Sequence, residues 1–298
     1  MKNHPPAERC APSASALATA AVATVVAACT VLIAPPALAQ EGPQAIATQA
    51  GAGNRAHIAQ INAGAEVSAL IVQNGANNLV GDPVIQTGGI LQTDSDVQVA
   101  EVRQTGKANQ AALSQLGGWR ALFYLEQGGN DNLSTVRQDS AGYSVTRVAQ
   151  RGERNRVDGD SIGSGAHGFD AVQSGADNRI AVVDRYSGYG GPYIDQNGAS
   201  NLVRDYAANA FYAYVDIAQL GERNQVASSH EASFSTSALV SQVGADNLVT
   251  LTSAAVVSDG FITQVGDRNV ATTGQHGADH RFNLTQAGNG NRGNIVQR

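Results

Sequence analysis

The stretch QLGERNQV, residues 219–226, decides the fold because the chain writes it again: QRGERNRV at 150–157 and QVGDRNVA at 264–271. The shared pattern is Gln-x-Gly-x-x-Asn, and it occurs eleven times. Its glutamines are Gln49, Gln73, Gln104, Gln127, Gln150, Gln173, Gln196, Gln219, Gln242, Gln264 and Gln286. Its asparagines are Asn54, Asn78, Asn109, Asn132, Asn155, Asn178, Asn201, Asn224, Asn247, Asn269 and Asn291. Successive glutamines recur at about 22–24 residues, a period that is the signature of a repeat architecture. One step, from Gln73 to Gln104, is longer. It contains GDPVIQTGGILQTDSD, 81–96, which reads as a loop insertion or a decayed half-repeat. A weaker signal divides the unit: Gln60, Gln115, Gln138, Gln275 and Gln297 each follow a motif glutamine by about half a period.

The flanks of the motif fix the local structure. Two residues before each motif glutamine the side chain is apolar in all eleven copies, from Ala47 and Ile71 to Ile262 and Leu284. The residue between is mixed, as at Arg103, Glu126 and Asp195. Two residues after the asparagine, nine of eleven are Ala, Val or Ile. That is period-two alternation, expected of half-buried strands. Each unit therefore reads strand, glycine-containing turn, strand, second turn, with glycine supplying the permissive backbone and Asp or Asn tolerating the turn.

One such unit cannot bury its apolar face alone, but stacked units can. The expected fold is all-β, a cross-β solenoid of about eleven strand-turn-strand rungs of about 23 residues. By the alternation, the motif Gln points inward with the apolar residue two before it. A buried amide is costly unless its donors and acceptors are met. Identical amides stacked rung over rung satisfy one another, as Asn and Gln ladders do in cross-β assemblies. The eleven glutamines and eleven asparagines are thus the candidate assembly ladder.

The pattern Gln-x-Gly-x-x-Asn-x-[Ala/Val], repeated at this period from about 45 to 298, resembles the curlin repeat of bacterial curli fibre subunits. The resemblance implies an extracellular amyloid fibre subunit acting in adhesion and biofilm matrix. It implies association with further copies of the chain or with a related curlin subunit. It also implies export through a curli-type outer-membrane pore with accessory factors. Major subunit and nucleator are both open. The serine that often stands six residues before the motif Gln is kept at Ser144 and Ser258 but not at Val67, Gln98, Ala121, His167 or Gly190.

The N-terminus carries Lys2 and Arg9, an apolar Ala/Val run to Ile33, then PPALAQ. Ala37-Leu38-Ala39 reads as a cleavage site, making 1–39 a signal peptide and leaving 40–298 as the repeat region. A rival reading takes Val26-Ala27-Ala28-Cys29 as a lipobox with Cys29 lipidated. Pro35 and Pro36 interrupt any spanning stretch, so the mature chain is expected to have no transmembrane segment. Both cysteines, Cys10 and Cys29, fall in this leader, so no disulfide is expected to stabilise the mature chain. Without Lys2, Glu8 and Arg9 the chain has 17 basic and 24 acidic residues, a net charge of −7. That balance, with no basic stripe, argues against a nucleic-acid requirement.

Reactive constellations are scarce. His276 and His280 lie in an expected turn-strand segment rather than on a helix face, so no metal is expected. The turn acids Asp177, Asp246 and Asp267 lack the glycine pattern of calcium-binding repeats. GSGAHG, 163–168, lacks the Lys-Ser/Thr of a phosphate loop. No catalytic set and no cofactor are expected, and the chain is not read as an enzyme. Glu153, Arg154, Glu222, Arg223, Asp267 and Arg268 read as charged gatekeepers against uncontrolled sheet association. Six of eight tyrosines fall between Tyr186 and Tyr214, and by register Tyr212 and Tyr214 point outward as a candidate adhesive patch. The alternative to a fibre subunit is a monomeric secreted β-solenoid that acts as an adhesin or binds a surface or ligand.

Overall fold

The computed structural model describes residues 21–26, 42–81, 89–140, 142–163, 165–232 and 234–298. Among them the regular structure is β-strand, wound as a solenoid. The first strands of the units stack in chain order: Gln44–Ala52, the second half of Arg55–Ala76, Ile90–Lys107, Arg120–Asn130, Tyr143–Glu153 and so on to His280–Ala287. All these pairings are parallel, and each motif glutamine lies opposite the next, as Gln150 does with Gln173 and Gln173 with Gln196. Eleven motif copies are joined through ten such steps. The second strands stack in the same way, with Arg156–Ile162 between Leu133–Asp139 and Arg179–Arg185.

The core lies between the two columns of strands. Ile71, Val102, Ile194, Ile217 and Val240 fill it from the first, and Val157, Ile180, Val203, Val226 and Val249 from the second; all are buried. Each such side chain contributes about 1.5–3 kcal/mol of burial. Large and small residues interlock. Phe169 fits because Gly159 stands against it, where a Cβ would come within 2.4 Å of the ring. The expected alternation is plain in Tyr212–Glu222, whose side chains are exposed and buried by turns until the motif glycine.

The stretch 81–96 divides. Residues 82–88 lie outside the described residues, whereas Ile90–Lys107 is strand and pairs with both neighbouring units. The leader 1–39, with Cys10, Cys29 and the site after Ala39, also lies outside the described residues except for Ala21–Val26. That segment runs antiparallel along the outer edge of Arg55–Gln60 in the first unit. Among the described residues no helix is long and apolar enough to cross a membrane.

Candidate functional site

The motif can be rebuilt from its three fixed residues. Each glutamine is buried, and its Nε2 donates to Oε1 of the next at 2.6–2.9 Å, from Gln49–Gln73 through to Gln264–Gln286. A second Nε2 bond goes to a backbone carbonyl across the core, as from Gln150 to Leu133 O at 3.0 Å. Each asparagine donates through Nδ2 to Oδ1 of the preceding one at 2.9–3.2 Å, from Asn78–Asn54 to Asn291–Asn269. The same Oδ1 also accepts the backbone N–H of that next asparagine, as Asn132 does from Asn155 at 3.1 Å. Nδ2 further reaches the motif glycine of the following unit, as from Asn155 to Gly175 O at 2.9 Å. Glycine is fixed for two reasons. Gly152 has φ +114°, and a Cβ there would lie 2.0 Å from Gly175 O. The carbonyl that excludes a side chain is thus the one that the asparagine of the unit before uses.

The two ladders run in opposite senses. Glutamine amides donate toward the C-terminal rung, and asparagine amides donate toward the N-terminal rung. The first rung accordingly ends on an acceptor, Gln49 Oε1, which has no hydrogen-bond partner among the described residues. The last rung ends on Gln286, whose Nε2 donates to Val270 O with no further motif glutamine after it. It also ends on Asn291, which donates to Asn269 and leaves its own oxygen at the head of the ladder. His280–Ala287 and Arg292–Gln297 have a partner strand on one side only among the described residues.

Residues 258–288 match the model of the curlin associated repeat. The chain carries a curlin associated repeat. The register carries the matched pattern, glutamine over glutamine, from Gln264 and Gln286 back to Gln49. No curated protein matches the chain.

The stacked units also hold a third ladder that is broken. Gln60, Gln92, Gln115 and Gln138 are joined at 2.9 Å per step. It ends where Gln138 Nε2 meets Ser144 Oγ at 3.0 Å and Thr146 Oγ1 at 3.2 Å. It resumes at Gln275, which donates to Gln297 at 2.9 Å and accepts from Ser258 Oγ. Gln92 escapes a forward count from Gln73 because of the insertion. Counting backward from Gln104 finds it, at the same interval that separates Gln138 from Gln150. Between the two runs the register places Ser161, Asp184, Ala207, His230 and Ser253. His230 is fully buried, with Nε2 3.8 Å from Asp205 Oδ1, and Asp205 accepts from Ser228 Oγ. Burial holds the His230 pKa below its ordinary value, against the pull of Asp205. The motif phase does not mark this group; its only signal in the sequence is the loss of glutamine at mid-unit.

The expected gatekeepers stand where the first strand of a unit ends and the chain turns, exposed except for the half-buried Asp267. Arg154 makes a two-pronged pair with Asp177 at 2.7 and 2.9 Å, and Arg223 does the same with Asp246 at 2.7 and 3.0 Å. The guanidinium hydrogen bond in each pair holds the Asp177 and Asp246 carboxyls below the usual range. Asp267 accepts from Ala245 N at 2.9 Å, so the three turn acids bond to the neighbouring rung. His280 Nε2 meets His276 O at 2.7 Å. Among the described residues no group of three or more His, Cys, Asp or Glu is gathered as for a metal. Tyr212 and Tyr214 both point outward. Tyr212 is part of a ring cluster at one corner, stacked on Tyr189 at 5.5 Å and edge-on to Phe211 at 4.8 Å, with Phe234 stacked on Phe211 at 5.4 Å.

Proposed function

We propose that this curlin-repeat chain is a secreted structural subunit of curli-like extracellular fibres, acting in surface adhesion and biofilm matrix. The observation that carries this reading is the complementarity of the two end rungs. Gln286 of one molecule can donate to Gln49 Oε1 of the next. Gln297 can likewise donate to Gln60 Oε1, which has no hydrogen-bond partner among the described residues. Asn54 of the second molecule can donate to Asn291 of the first. Both ladders then continue through the junction in the sense they already have. Unpaired strand edges supply the backbone half of the contact. Growth is head to tail, so the fibre is polar.

Export follows the same reading: a leader removed after Ala39, passage through the periplasm, and a curli-type outer-membrane pore with its accessory factors. Removal of the leader would also free Arg55–Gln60 from Ala21–Val26, opening both strands of the first rung. The chain starting at Gln40, purified without metal or nucleotide, is expected to polymerise at micromolar concentration. Fibre diffraction should show reflections near about 4.8 and 10 Å. A chain that stays monomeric for days with no amyloid-dye signal would instead support the monomeric solenoid adhesin.

A further inference from the structure

Two shallow basins, of about 320 and 360 Å³, lie on the outer face of the first strand column. Each is in the range of small-ligand sites, about 300–1,000 Å³. Arg147, Asp170 and Tyr193 line both, so the basins form one groove. Tyr124, Arg147, Asp170 and Tyr193 are register neighbours on four successive rungs. The groove therefore runs along the solenoid axis.

Its floor is held bare by the backbone. At Gly168 a Cβ would lie 1.8 Å from Val145 O, and at Gly191, with φ +140°, 1.6 Å from Gly168 O. No side chain can stand at either of these two positions, which lie on adjacent rungs. Aromatic walls rise around the gap: Tyr143, Tyr193 and Tyr214 are 46%, 46% and 55% exposed. Elsewhere on this face Ala149 and Val172 leave a second low stretch beside Tyr124.

The polar groups are balanced in sign. Arg147 lies 3.5 Å from Asp170 and its guanidinium stands 5.9 Å from the Tyr124 ring centre. Arg103 is paired with Glu101, and Glu126 at the rim lies 3.5 Å from Arg151. Glu101, Glu126 and Asp170 are matched by Arg103, Arg147 and Arg151, so these pairs leave no basic excess of the kind that binding a polyanion needs. A purely apolar partner would leave these ion pairs without hydrogen-bonding contacts. What matches both features is a ligand with flat C–H faces and hydroxyls at its edge. The C–H faces carry slight positive charge and rest on the negative faces of tyrosine rings. The hydroxyls can donate to Asp170 and Glu126 and accept from Arg147.

We propose that this groove is a binding site for a neutral, linear, pyranose-based polysaccharide, which would lie along the axis between Tyr124 and Tyr214. All of its lining comes from one chain, so it does not depend on polymerisation and stands apart from the fibre reading.

The test is calorimetric titration of the purified chain with a soluble, unbranched β-linked glucose hexamer, beside a sulfated hexamer of the same length. Saturable binding of the neutral hexamer at millimolar or lower concentration is expected, with weaker binding of the sulfated one. Tyr193→Ala combined with Tyr214→Ala should weaken it by about tenfold or more, since two aromatic faces of the groove wall are lost. The double change to Phe keeps the rings and should retain most of the affinity, and Tyr212→Ala, whose ring does not line the groove, should leave it unchanged. Unaltered far-UV circular dichroism in each variant would show that the solenoid persists. Absence of saturable binding would overturn the proposal, as would binding indifferent to the Tyr193 and Tyr214 changes. Loss of lateral fibre bundling in the Ala variants without any sugar binding would assign the face to a second copy of the chain instead.

Discussion

Gly128 and Gly129 sit side by side near the end of the strand Arg120–Asn130 and carry opposite demands. Gly129 has φ +104°, and a Cβ on it would lie 2.1 Å from Gly152 O. Gly128 has open space around its Cβ position. Gly129→Ala must therefore strain the backbone and push two rungs apart, at a cost on the order of 3 kcal/mol. Gly128→Ala should change stability by less than about 1 kcal/mol, in the stabilising direction if the unfolded chain loses freedom. Urea denaturation midpoints of freshly purified variants would separate the two. Similar midpoints would mean that the motif glycine is not held by the rung beneath it. Left-handed backbone recurs one residue before the motif asparagine, where Ala108 has φ +56°. A β-carbon there costs roughly 1–2 kcal/mol relative to glycine. Ala108→Gly should raise the same midpoint, after part of the gain is offset by the greater freedom of glycine in the unfolded chain.

At the scale of the strand, the broken mid-unit ladder places a titratable group where the other units have amides. His230 has a folded pKa below its ordinary value of about 6.5. The unfolded chain thus takes up a proton before the folded one does. The stability this neutral imidazole contributes is fully present above about pH 6.5 and is lost as pH falls from there toward the folded pKa. His230→Leu should flatten the pH dependence of the thermal midpoint in that window, relative to the parent chain. An unchanged slope would mean that other groups govern acid sensitivity. The strands around His230 also show where sequence reading reaches its limit. The alternation at the motif was legible because one inward column repeats eleven times. It placed Gln49 through Gln286 on the inside and Tyr212 and Tyr214 on the outside, as the structure does. Gln92 was hidden by an insertion that shifts its phase from Gln73. His230 and Asp205 come together only through the stacking of Leu202–Ala208 on Gln225–Glu231, a pairing between units. The bare groove floor was equally hidden, because at Gly168 and Gly191 the backbone departs from the alternation on which the reading rests.

At the scale of the whole molecule, an interior amide and an end amide have different neighbours although their sequence contexts are alike. Gln173 accepts from Gln150 and donates to Gln196, each at 2.9 Å. Gln173→Ala leaves both partners short inside one molecule, at about 1–3 kcal/mol, and should appear as a lower urea midpoint of the monomer. Gln286 accepts from Gln264 at 2.7 Å, and its onward donation belongs to the proposed junction. Gln286→Ala should slow seeded elongation more than it lowers monomer β-content, and equal small effects of both changes on both readouts would argue against growth through the ladders. The leader gives a second handle on the same junction. Ala21–Val26 covers Arg55–Gln60, so the chain that keeps residues 1–39 presents a half-closed N-terminal edge and an open C-terminal one. Head-to-tail growth needs both edges at every junction. The full-length chain should therefore slow elongation of seeds made from the Gln40 chain, since a molecule arriving at the C-terminal fibre end must present its own first rung. At the N-terminal fibre end it can still add through its C-terminal rung, and its own covered edge then blocks the next arrival. Seeded growth followed with increasing amounts of full-length chain should fall well below what dilution alone gives. Growth at the undiminished rate would mean that the first rung is not the docking edge.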